Sequence, residues 1–303
     1  MGAQLVPVLE IGGTHATAAL VDPSTWTVAP EHVVRAHIDA AGSAESLLSE
    51  LAAVANRMPS GHADTWVVAI PGPFDYVSGV GRFRGVGKFD DLFGVDLRQG
   101  LRDRIDPRPS AVTFVNDAVA FGVGEYAIGA ARGHDRAVFV TLGTGVGSAY
   151  LEDGHPVTTG AGVPLEGSAH RILYDGRPLE ETFSRRAIRS AYSLSTTSTF
   201  SVMPDVREIA ERSRAGDRVA VAVLRRAFIG LGAALADSIA MFDAGVLVIG
   251  GSMAASWDIA EPNIRLGMSG ICPRLAYLPI VPAERPTDAP LVGAARWMQE
   301  TSI

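Results

Sequence analysis

Short apolar runs alternate with amphipathic stretches along the chain, and this alternation is the first indication of its fold. The predicted strands are runs rich in Val, Ile, Leu or Ala that stop at Gly, Pro or Asn-Asp: Leu5–Ile11, Ala16–Val21, Thr65–Ile70, Ala111–Val115, Ala137–Leu142 and Val246–Ile249. The predicted helices lie between them: Ser43–Arg57 (with Ser43 as N-cap), Asp117–Ala130, Arg207–Arg214, Arg218–Phe242 and Leu291–Gln299. Strands that alternate with helices indicate an α/β architecture.

Length, composition and charge narrow the class of protein. The 303 residues suggest two domains, at about 150 residues each. Hydrophobic residues make up 47% of the chain, which is enough for a sizeable core. A net charge of −7 argues against a general nucleic-acid binder, and no uninterrupted apolar stretch reaches the roughly 20 residues of a membrane span. The opening residues show no secretion signal. We therefore expect a cytoplasmic protein that binds neither nucleic acid nor membrane.

Three glycine-rich turns follow predicted strands. Such turns let the backbone reverse tightly, so that amide groups can approach a phosphate without interference from a Cβ atom. They are Gly12-Gly13-Thr14, Gly143-Thr144-Gly145 and Gly250-Gly251-Ser252. Each one taken alone is also compatible with a plain β-hairpin. Together, at these separations, they suggest two similar lobes that close on a nucleotide.

An Asn-Asp pair, Asn116-Asp117, lies between the first two turns, where a predicted strand ends and a predicted helix begins. An Asp at such a junction often serves only as a helix N-cap. A carboxylate that faces the same site as phosphate-binding turns can instead orient and deprotonate a substrate hydroxyl. The residues by themselves leave both interpretations open.

Taken together, these motifs resemble those of the ROK family (repressors, open reading frames and kinases), a branch of the sugar kinases with the actin-like ATPase fold. Glu10–Thr14 resembles the family's first phosphate motif, Asp-x-Gly-Gly-Thr, and Leu142–Gly147 resembles the second, Leu-Gly-Thr-Gly-x-Gly. Asn116-Asp117 matches the family's catalytic pair, and Ile249–Gly251 lies where the family contacts adenosine. The resemblance covers nearly the whole chain.

The resemblance implies Mg²⁺- and ATP-dependent phosphorylation of a hydroxyl on a sugar or a sugar-like polyol. Asp117 would be the general base and Asn116 a ligand of the substrate hydroxyl. The phosphates would be held by Gly12, Gly13, Thr14, Gly143, Thr144 and Gly145, and the adenosine by Gly250 and Gly251. Positioning and charge stabilisation would supply most of the catalysis, and proton removal about 10²–10⁴-fold.

The resemblance also implies a domain organisation. It predicts two α/β lobes of the actin-like ATPase (ribonuclease H-like) type, with the active site in the cleft between them. The N-terminal lobe would comprise residues 1–117 and 288–303, because Asp288–Ala295 resembles the family's C-terminal segment. The C-terminal lobe would comprise residues 118–287. A homodimer is expected from the family.

Two departures from the family pattern concern metal and substrate ligands. The Asp of the first motif is Glu10 here, still a carboxylate that can organise Mg²⁺ but one methylene longer. Many members carry a cysteine-rich zinc loop after Gly-Glu-x-Gly-His, whereas Cys272 is the only cysteine of this chain, so structural zinc is not expected. The corresponding stretch keeps His170 and Glu180 as candidate substrate ligands. Glu166 precedes His170 by four residues instead of three, which leaves its role open.

A third departure lies upstream of the Asn-Asp pair. Family glucokinases carry a substrate-binding Asn there in a Pro-Asn-Leu segment, but residues 85–92 read Gly-Val-Gly-Lys-Phe-Asp-Asp-Leu. Lys88 is the only lysine among 26 basic residues, which also fits a general bias towards arginine. The hypothesis is that Lys88 or Asp90 lies near the substrate and helps to select something other than glucose. The alternative is an exposed loop lysine.

The sequence leaves open which acceptor is phosphorylated and whether the protein is an active kinase. The family includes kinases of C7-cyclitols (carbocyclic sugar analogues), and the three departures favour such a polyol over glucose, with N-acetylmannosamine, fructose and allose still open. A DNA-binding repressor is disfavoured because the first phosphate motif begins at Glu10, which leaves no room for a preceding DNA-binding domain. A catalytically silent sugar sensor of the same fold is the second hypothesis, and the change at Glu10 is its main support.

Overall fold

The computed structural model describes residues 4–196, 200 and 202–301. Its strands are β1 Val6–Ile11, β2 His15–Asp22, β3 Thr27–His37, β4 Thr65–Ile70, β5 Phe74–Asp75, β6 Val80–Gly81, β7 Ala111–Asn116, β8 Arg136–Leu142, β9 Val146–Glu152, β10 His155–Pro156, β11 Leu173–Tyr174, β12 Arg177–Pro178, β13 Val246–Gly250 and β14 Ile280–Pro282. Its α-helices are α1 Ala44–Ala55, α2 Leu97–Arg102, α3 Asp117–Ile128, α4 Leu179–Phe183, α5 Arg185–Ser195, α6 Val206–Arg214, α7 Arg218–Phe242, α8 Trp257–Ile271 and α9 Ala289–Thr301. Short 3₁₀ turns occupy Asp90–Leu92, Leu165–Gly167, Ala169–Arg171, Ser252–Ser256 and Pro273–Tyr277.

The chain divides into two compact units, and the first contains Met1–Ile128 with Arg285–Ile303. Its sheet has the strand order β3-β2-β1-β4-β7. The strands β1, β2 and β3 form an antiparallel meander, while β1, β4 and β7 run parallel. Apolar side chains of α1 and α2 cover one face of the sheet, and those of α3 and α9 cover the other. Alternating side chains of the central strands therefore enter two cores, which explains their continuous apolar runs.

The second unit, Gly129–Glu284, repeats this topology. Its sheet order is β10-β9-β8-β13-β14, again an antiparallel meander followed by parallel strands. The helices α4 to α8 pack with the sheet in a single core. The repetition exists in topology without a repeat in sequence, so no sequence period could reveal it. It agrees with the expectation of two similar lobes.

The helix α7 is long and apolar enough to cross a membrane, judged on length and composition alone. Its most apolar window has a mean hydropathy of 1.8, and 56% of that window is buried. Leu224, Leu231, Leu235 and Ile239 are buried in the core of the second unit. Burial of this kind is what a central core helix requires, so the helix gives only weak evidence of a membrane span.

The boundary between the units differs from the predicted one. The sequence interpretation divided the chain at 117/118 and 287/288, whereas the structure divides it after Ile128 and after Glu284. The reason is the contact of α3 with α9. A Cβ atom on Gly293 would lie 1.7 Å from the carbonyl oxygen of Ala120, so the two helices touch through backbone at this glycine. The whole of α3 therefore belongs to the first unit.

The α/β class predicted from the strand and helix pattern is confirmed, but the pattern missed several elements. The strand β3 contains Pro30 and lies at the edge of its sheet, where proline is tolerated. Its partly exposed face interrupts the apolar run that marks the other strands. The helix α8 contains Pro262, a residue that usually argues against a helix interior.

Candidate active site

The first glycine turn, Gly12 to Thr14, joins the antiparallel strands β1 and β2. The N–H of Gly12 donates to the carbonyl of His15 at 2.8 Å, and a Cβ atom on Gly12 would lie 3.3 Å from that oxygen. Thr14 is exposed, with its Oγ1 2.9 Å from Nδ1 of His15. The turn is thus a β-hairpin in geometry. The β-hairpin is confirmed, and the role of this turn in phosphate binding stays a prediction.

The second and third turns lie together in the second unit. Gly143 to Gly145 joins β8 and β9, and the N–H of Gly143 donates to the carbonyl of Gly145 at 3.0 Å. Gly251 has φ +84°, and a Cβ atom there would lie 2.3 Å from the carbonyl oxygen of Leu142. Only glycine allows this approach, because any side chain would meet backbone. The third turn therefore packs directly on the start of the second.

Two carboxylates lie at the same edge of the first sheet. Glu10 is near the carboxyl end of β1 and Asp117 follows β7, a strand parallel to β1 through β4. Burial, together with the negative charge of Asp117, raises the pKa of Glu10 to about 7, while the charge of Arg35 opposes the shift. The structure thus brings together the predicted base and the predicted metal carboxylate. The charge of Asp117 raises the pKa of Glu10, so the two carboxylates lie close enough to interact electrostatically.

Asp117 occupies the first position of α3 and is partly buried. Burial raises its pKa, while the cation of Lys88 and the N–H of Ala118, 2.9 Å from Oδ1, act in the opposite direction. A carboxylate in the first turn also interacts favourably with the helix dipole. The carboxylate thus combines a raised affinity for a proton with groups that stabilise its charged form.

The N-cap of α3 is Asn116, not Asp117. Its Oδ1 accepts hydrogen bonds from the N–H groups of Ala118 and Val119 at 3.0 and 3.2 Å. Its Nδ2 donates to the hydroxyl of Tyr76 at 2.8 Å. Asp117 is therefore not the main cap, although its Oδ1 also accepts from the N–H of Ala118, and among the described residues the second amide hydrogen of Asn116 has no acceptor. Tyr76 has no motif around it, so the sequence interpretation missed it.

Lys88 lies in the loop before the 3₁₀ turn Asp90–Leu92, and it is half-buried. The next residue, Phe89, anchors the loop. Its side chain is fully buried, its backbone is left-handed with φ +60°, and its N–H donates to the carbonyl of Ala40 at 2.7 Å. Asp90 accepts from the N–H of Val86 at 3.2 Å and so serves the loop itself. Of Lys88 and Asp90, Lys88 is the residue whose charge lowers the pKa of Asp117.

The predicted substrate ligands of the second unit gather around His170. Burial lowers the pKa of this partly buried imidazole, and the charge of Glu180 acts against that shift. A neutral imidazole can donate and accept hydrogen bonds, as recognition of a sugar hydroxyl requires. Glu166, in contrast, is 68% exposed and forms an ion pair with Arg171 at 3.3 Å. The charges of both Glu180 and Glu166 therefore act on His170, although the side chain of Glu166 lies largely at the surface.

Ser148 on β9 positions the loop before His170. Its buried hydroxyl donates to the carbonyl of Gly167 at 2.6 Å and accepts from the N–H of Ala169 at 2.7 Å. The sequence interpretation missed this residue because nothing in its neighbourhood distinguishes it from any other strand serine. The two hydrogen bonds of Ser148 join residues that are far apart in the chain.

Glu10 is a suitable residue for organising Mg²⁺. Its raised pKa and its proximity to a second carboxylate mean that a cation would relieve an unfavourable concentration of negative charge. Within the described part of the chain, no three His, Cys, Asp or Glu side chains form a metal-binding group. A magnesium ion held mainly by nucleotide phosphates and water needs only one or two protein carboxylates. The donor set therefore fits such an ion.

The structure matches that of a ROK family glucokinase from Streptomyces griseus in complex with glucose and AMPPNP. The TM-score is 0.77 at 23% identity, and the match covers 98% of this chain and 99% of the other. The fold and its glycine turns thus define an α/β protein of the actin-like ATPase class. The ROK family profile matches residues 7–301, and the chain belongs to the ROK family.

Two further relatives differ in function. A glucokinase from Thermotoga maritima is 27% identical over 278 residues, which are 84% of this chain and 86% of that protein. A ROK family transcriptional regulator, a homologue of the E. coli MLC protein, is 20% identical with a TM-score of 0.74, and the match covers 97% of this chain and 78% of the regulator. The coarse prediction of an ATP-dependent carbohydrate kinase is confirmed by the family match together with the glucokinase relatives.

Proposed function

We propose that this carbohydrate kinase transfers the γ-phosphate of ATP to a hydroxyl of a sugar-like polyol other than glucose, with Asp117 as general base. The observation that carries the proposal is the environment of Asp117. Its carboxylate begins a helix that Asn116 already caps, burial raises its pKa, and the only lysine of the chain acts on it. A buried carboxylate that is not the main cap of its helix and whose pKa is raised suits proton abstraction.

The chemical step follows from this assignment. The acceptor hydroxyl gives its proton to Asp117 as its oxygen bonds to the γ-phosphorus, and the bond to the β–γ bridging oxygen breaks to release ADP. In this proposal the N–H groups of the glycine turns hold the phosphates. A bound Mg²⁺, organised by Glu10, would neutralise charge on the phosphate oxygens. The Tyr76–Asn116 hydrogen bond orients the amide group of Asn116.

The acceptor is proposed from the groups that replace the family's sugar contacts. Lys88 supplies a cation where glucokinases have a neutral Asn, and its ammonium has three donors and no acceptor. The exchange changes both charge and hydrogen-bonding capacity at this position, which supports an acceptor other than glucose, and a C7-cyclitol is our leading candidate. In the second unit, the neutral imidazole of His170 supports hydroxyl recognition. Cytoplasmic location and a homodimer stay predictions.

The test is ADP release with ATP and Mg²⁺ across hexoses, N-acetylhexosamines and C7-cyclitols. We expect turnover on one acceptor class, with glucose a poor substrate. Preferred turnover of glucose would contradict the proposed specificity and leave the kinase intact. Sugar binding without turnover in Mg²⁺ or Mn²⁺ would support the silent sensor instead, and restoring Glu10→Asp would then be the informative variant.

Replacement of Lys88 by Ala tests its part in acceptor selection. We expect kcat/KM for the best acceptor to fall about tenfold, which corresponds to the loss of one charged hydrogen bond, while KM for ATP stays unchanged. Steady-state kinetics with varied acceptor and varied ATP separate the two effects. Arg57→Ala removes an exposed cation of the same unit and serves as the control. An unchanged ranking of acceptors in Lys88→Ala would contradict the proposed role of Lys88 in acceptor selection.

A further inference from the structure

The carboxylate of Glu180 lies against the second phosphate turn. Its Oε2 accepts a hydrogen bond from the N–H of Val146 at 3.2 Å. A Cβ atom on Gly145 would lie only 2.5 Å from the same oxygen, so Glu180 fills the space that a side chain on Gly145 would need. A side chain on Gly145 would therefore displace the carboxylate of Glu180 from this position.

The segment that carries Glu180 contacts the other end of the turn too. The N–H of Arg185 donates to the carbonyl of Gly143 at 3.1 Å. Ser184, buried between these two contacts, caps α5 by accepting from the N–H of Ala187 at 3.3 Å. The α4–α5 segment thus holds the turn at both of its ends, by one side chain and one backbone group.

The sign of the charge decides what Glu180 can do there. A carboxylate repels phosphate, so Glu180 is not suited to bind the phosphates of the nucleotide directly. Its hydrogen bond to Val146 instead fixes the backbone of the turn, whose N–H groups must be ordered before they can hold a phosphate. The same carboxylate acts electrostatically on His170, so it interacts with both the turn and the proposed acceptor ligand.

We propose that Glu180 is a positioning residue for the phosphate turn Gly143–Gly145, and that it couples this turn to the acceptor side of the second unit. The assignment deepens the proposed kinase function and rests on it. It differs from a simple role in sugar binding, because it makes Glu180 important for the nucleotide even when no acceptor is present.

The test is the affinity for Mg²⁺-AMPPNP without acceptor, measured by titration calorimetry. We expect Glu180→Ala to raise Kd about tenfold, as for the loss of a hydrogen bond with a charged partner. Glu180→Gln keeps an acceptor oxygen and should bind within about threefold of the wild type. Glu181→Ala, an exposed neighbour on α4, is the matched control and should bind normally. An unchanged Kd in Glu180→Ala overturns the inference and leaves a sugar-binding role.

A second variant addresses the same contact from the other side. Gly145→Ala places a methyl group where the carboxylate lies, so it should weaken AMPPNP binding to a similar extent. The double variant Gly145→Ala/Glu180→Ala should be no weaker than either single variant, because both remove one interaction. Fully additive effects would show that the two residues act independently and would contradict the assignment.

Hydrogen exchange of the nucleotide-free protein separates this inference from the proposed function. We expect the amides of residues 143–147 to exchange at least about fivefold faster in Glu180→Ala than in the wild type or in Glu181→Ala. Equal exchange rates overturn the inference whatever the nucleotide does. A wild-type protein that binds no AMPPNP, yet shows the difference in exchange, would refute the kinase proposal and retain the positioning role.

Discussion

Replacement of Asp117 by Asn is expected to lower kcat by about 10²- to 10⁴-fold, the usual contribution of a general base. The amide keeps the shape of the side chain but cannot accept the proton of the acceptor hydroxyl. Because burial disfavours the charge of Asp117, loss of that charge should not unfold the protein. AMPPNP should still bind, since Asp117 is proposed to act on the acceptor and not on the nucleotide.

The measurement is single-turnover phosphorylation of the best acceptor by Asp117→Asn, beside AMPPNP titration of the same variant. Asp91→Asn removes an exposed carboxylate of the same unit and is the control, expected to react at the wild-type rate. A drop of less than about threefold in the variant would exclude Asp117 as the base. Loss of activity accompanied by loss of AMPPNP binding would point to misfolding instead.

The Glu10→Gln variant is expected to be more stable than the wild type at pH 8 without metal, but not at pH 5. The folded pKa of Glu10 is raised to about 7 from 4.5, so the folded protein holds a proton that the unfolded chain releases. The contribution of this proton to the stability of the folded protein is therefore fully present below pH 4.5 and is lost as the pH rises towards 7. At about 1.4 kcal/mol per pKa unit, the charged Glu10 costs up to about 3 kcal/mol at pH 8.

Urea denaturation in EDTA at pH 5 and pH 8 measures this difference. If the difference in unfolding free energy between Glu10→Gln and the wild type were the same at both pH values, burial would not be destabilising the charged carboxylate of Glu10.

In the presence of Mg²⁺, the same substitution is expected to impair function, in contrast to its stabilising effect without metal. Glu10→Gln should lose about 10- to 100-fold in apparent Mg²⁺ affinity, as is typical when an outer-sphere partner of a metal is removed, while Glu10→Asp should retain it. The apparent Mg²⁺ affinity of the wild type should decrease as the pH is lowered past about 7, because Mg²⁺ competes with the proton on Glu10.

The silent-sensor hypothesis depends on the same residue. Glu10 was singled out because it is longer than the family's Asp, and burial together with the charge of Asp117 raises its pKa. The Glu10→Gln and Glu10→Asp measurements distinguish the two hypotheses directly.

The sequence by itself determined much of the framework, because short-range patterns encode it. Thr65–Ile70 and Arg218–Phe242 were predicted with the bounds that the structure has. Their apolar runs reflect burial on both faces of a sheet or in the centre of a core, which each residue's own hydrophobicity records. The glycine turns were equally visible, since tight backbone approaches admit no Cβ atom.

Only the tertiary structure decided the roles of individual side chains. Nothing local shows that Asn116, and not Asp117, caps α3, that Lys88 acts on Asp117, or that the whole of α3 packs with a helix from the other end of the chain. The contact of Glu180 with Val146 joins positions 34 residues apart. Such contacts depend on where the fold brings distant segments, and no periodicity of the chain records that, because periodicity reports only which face of an element is buried.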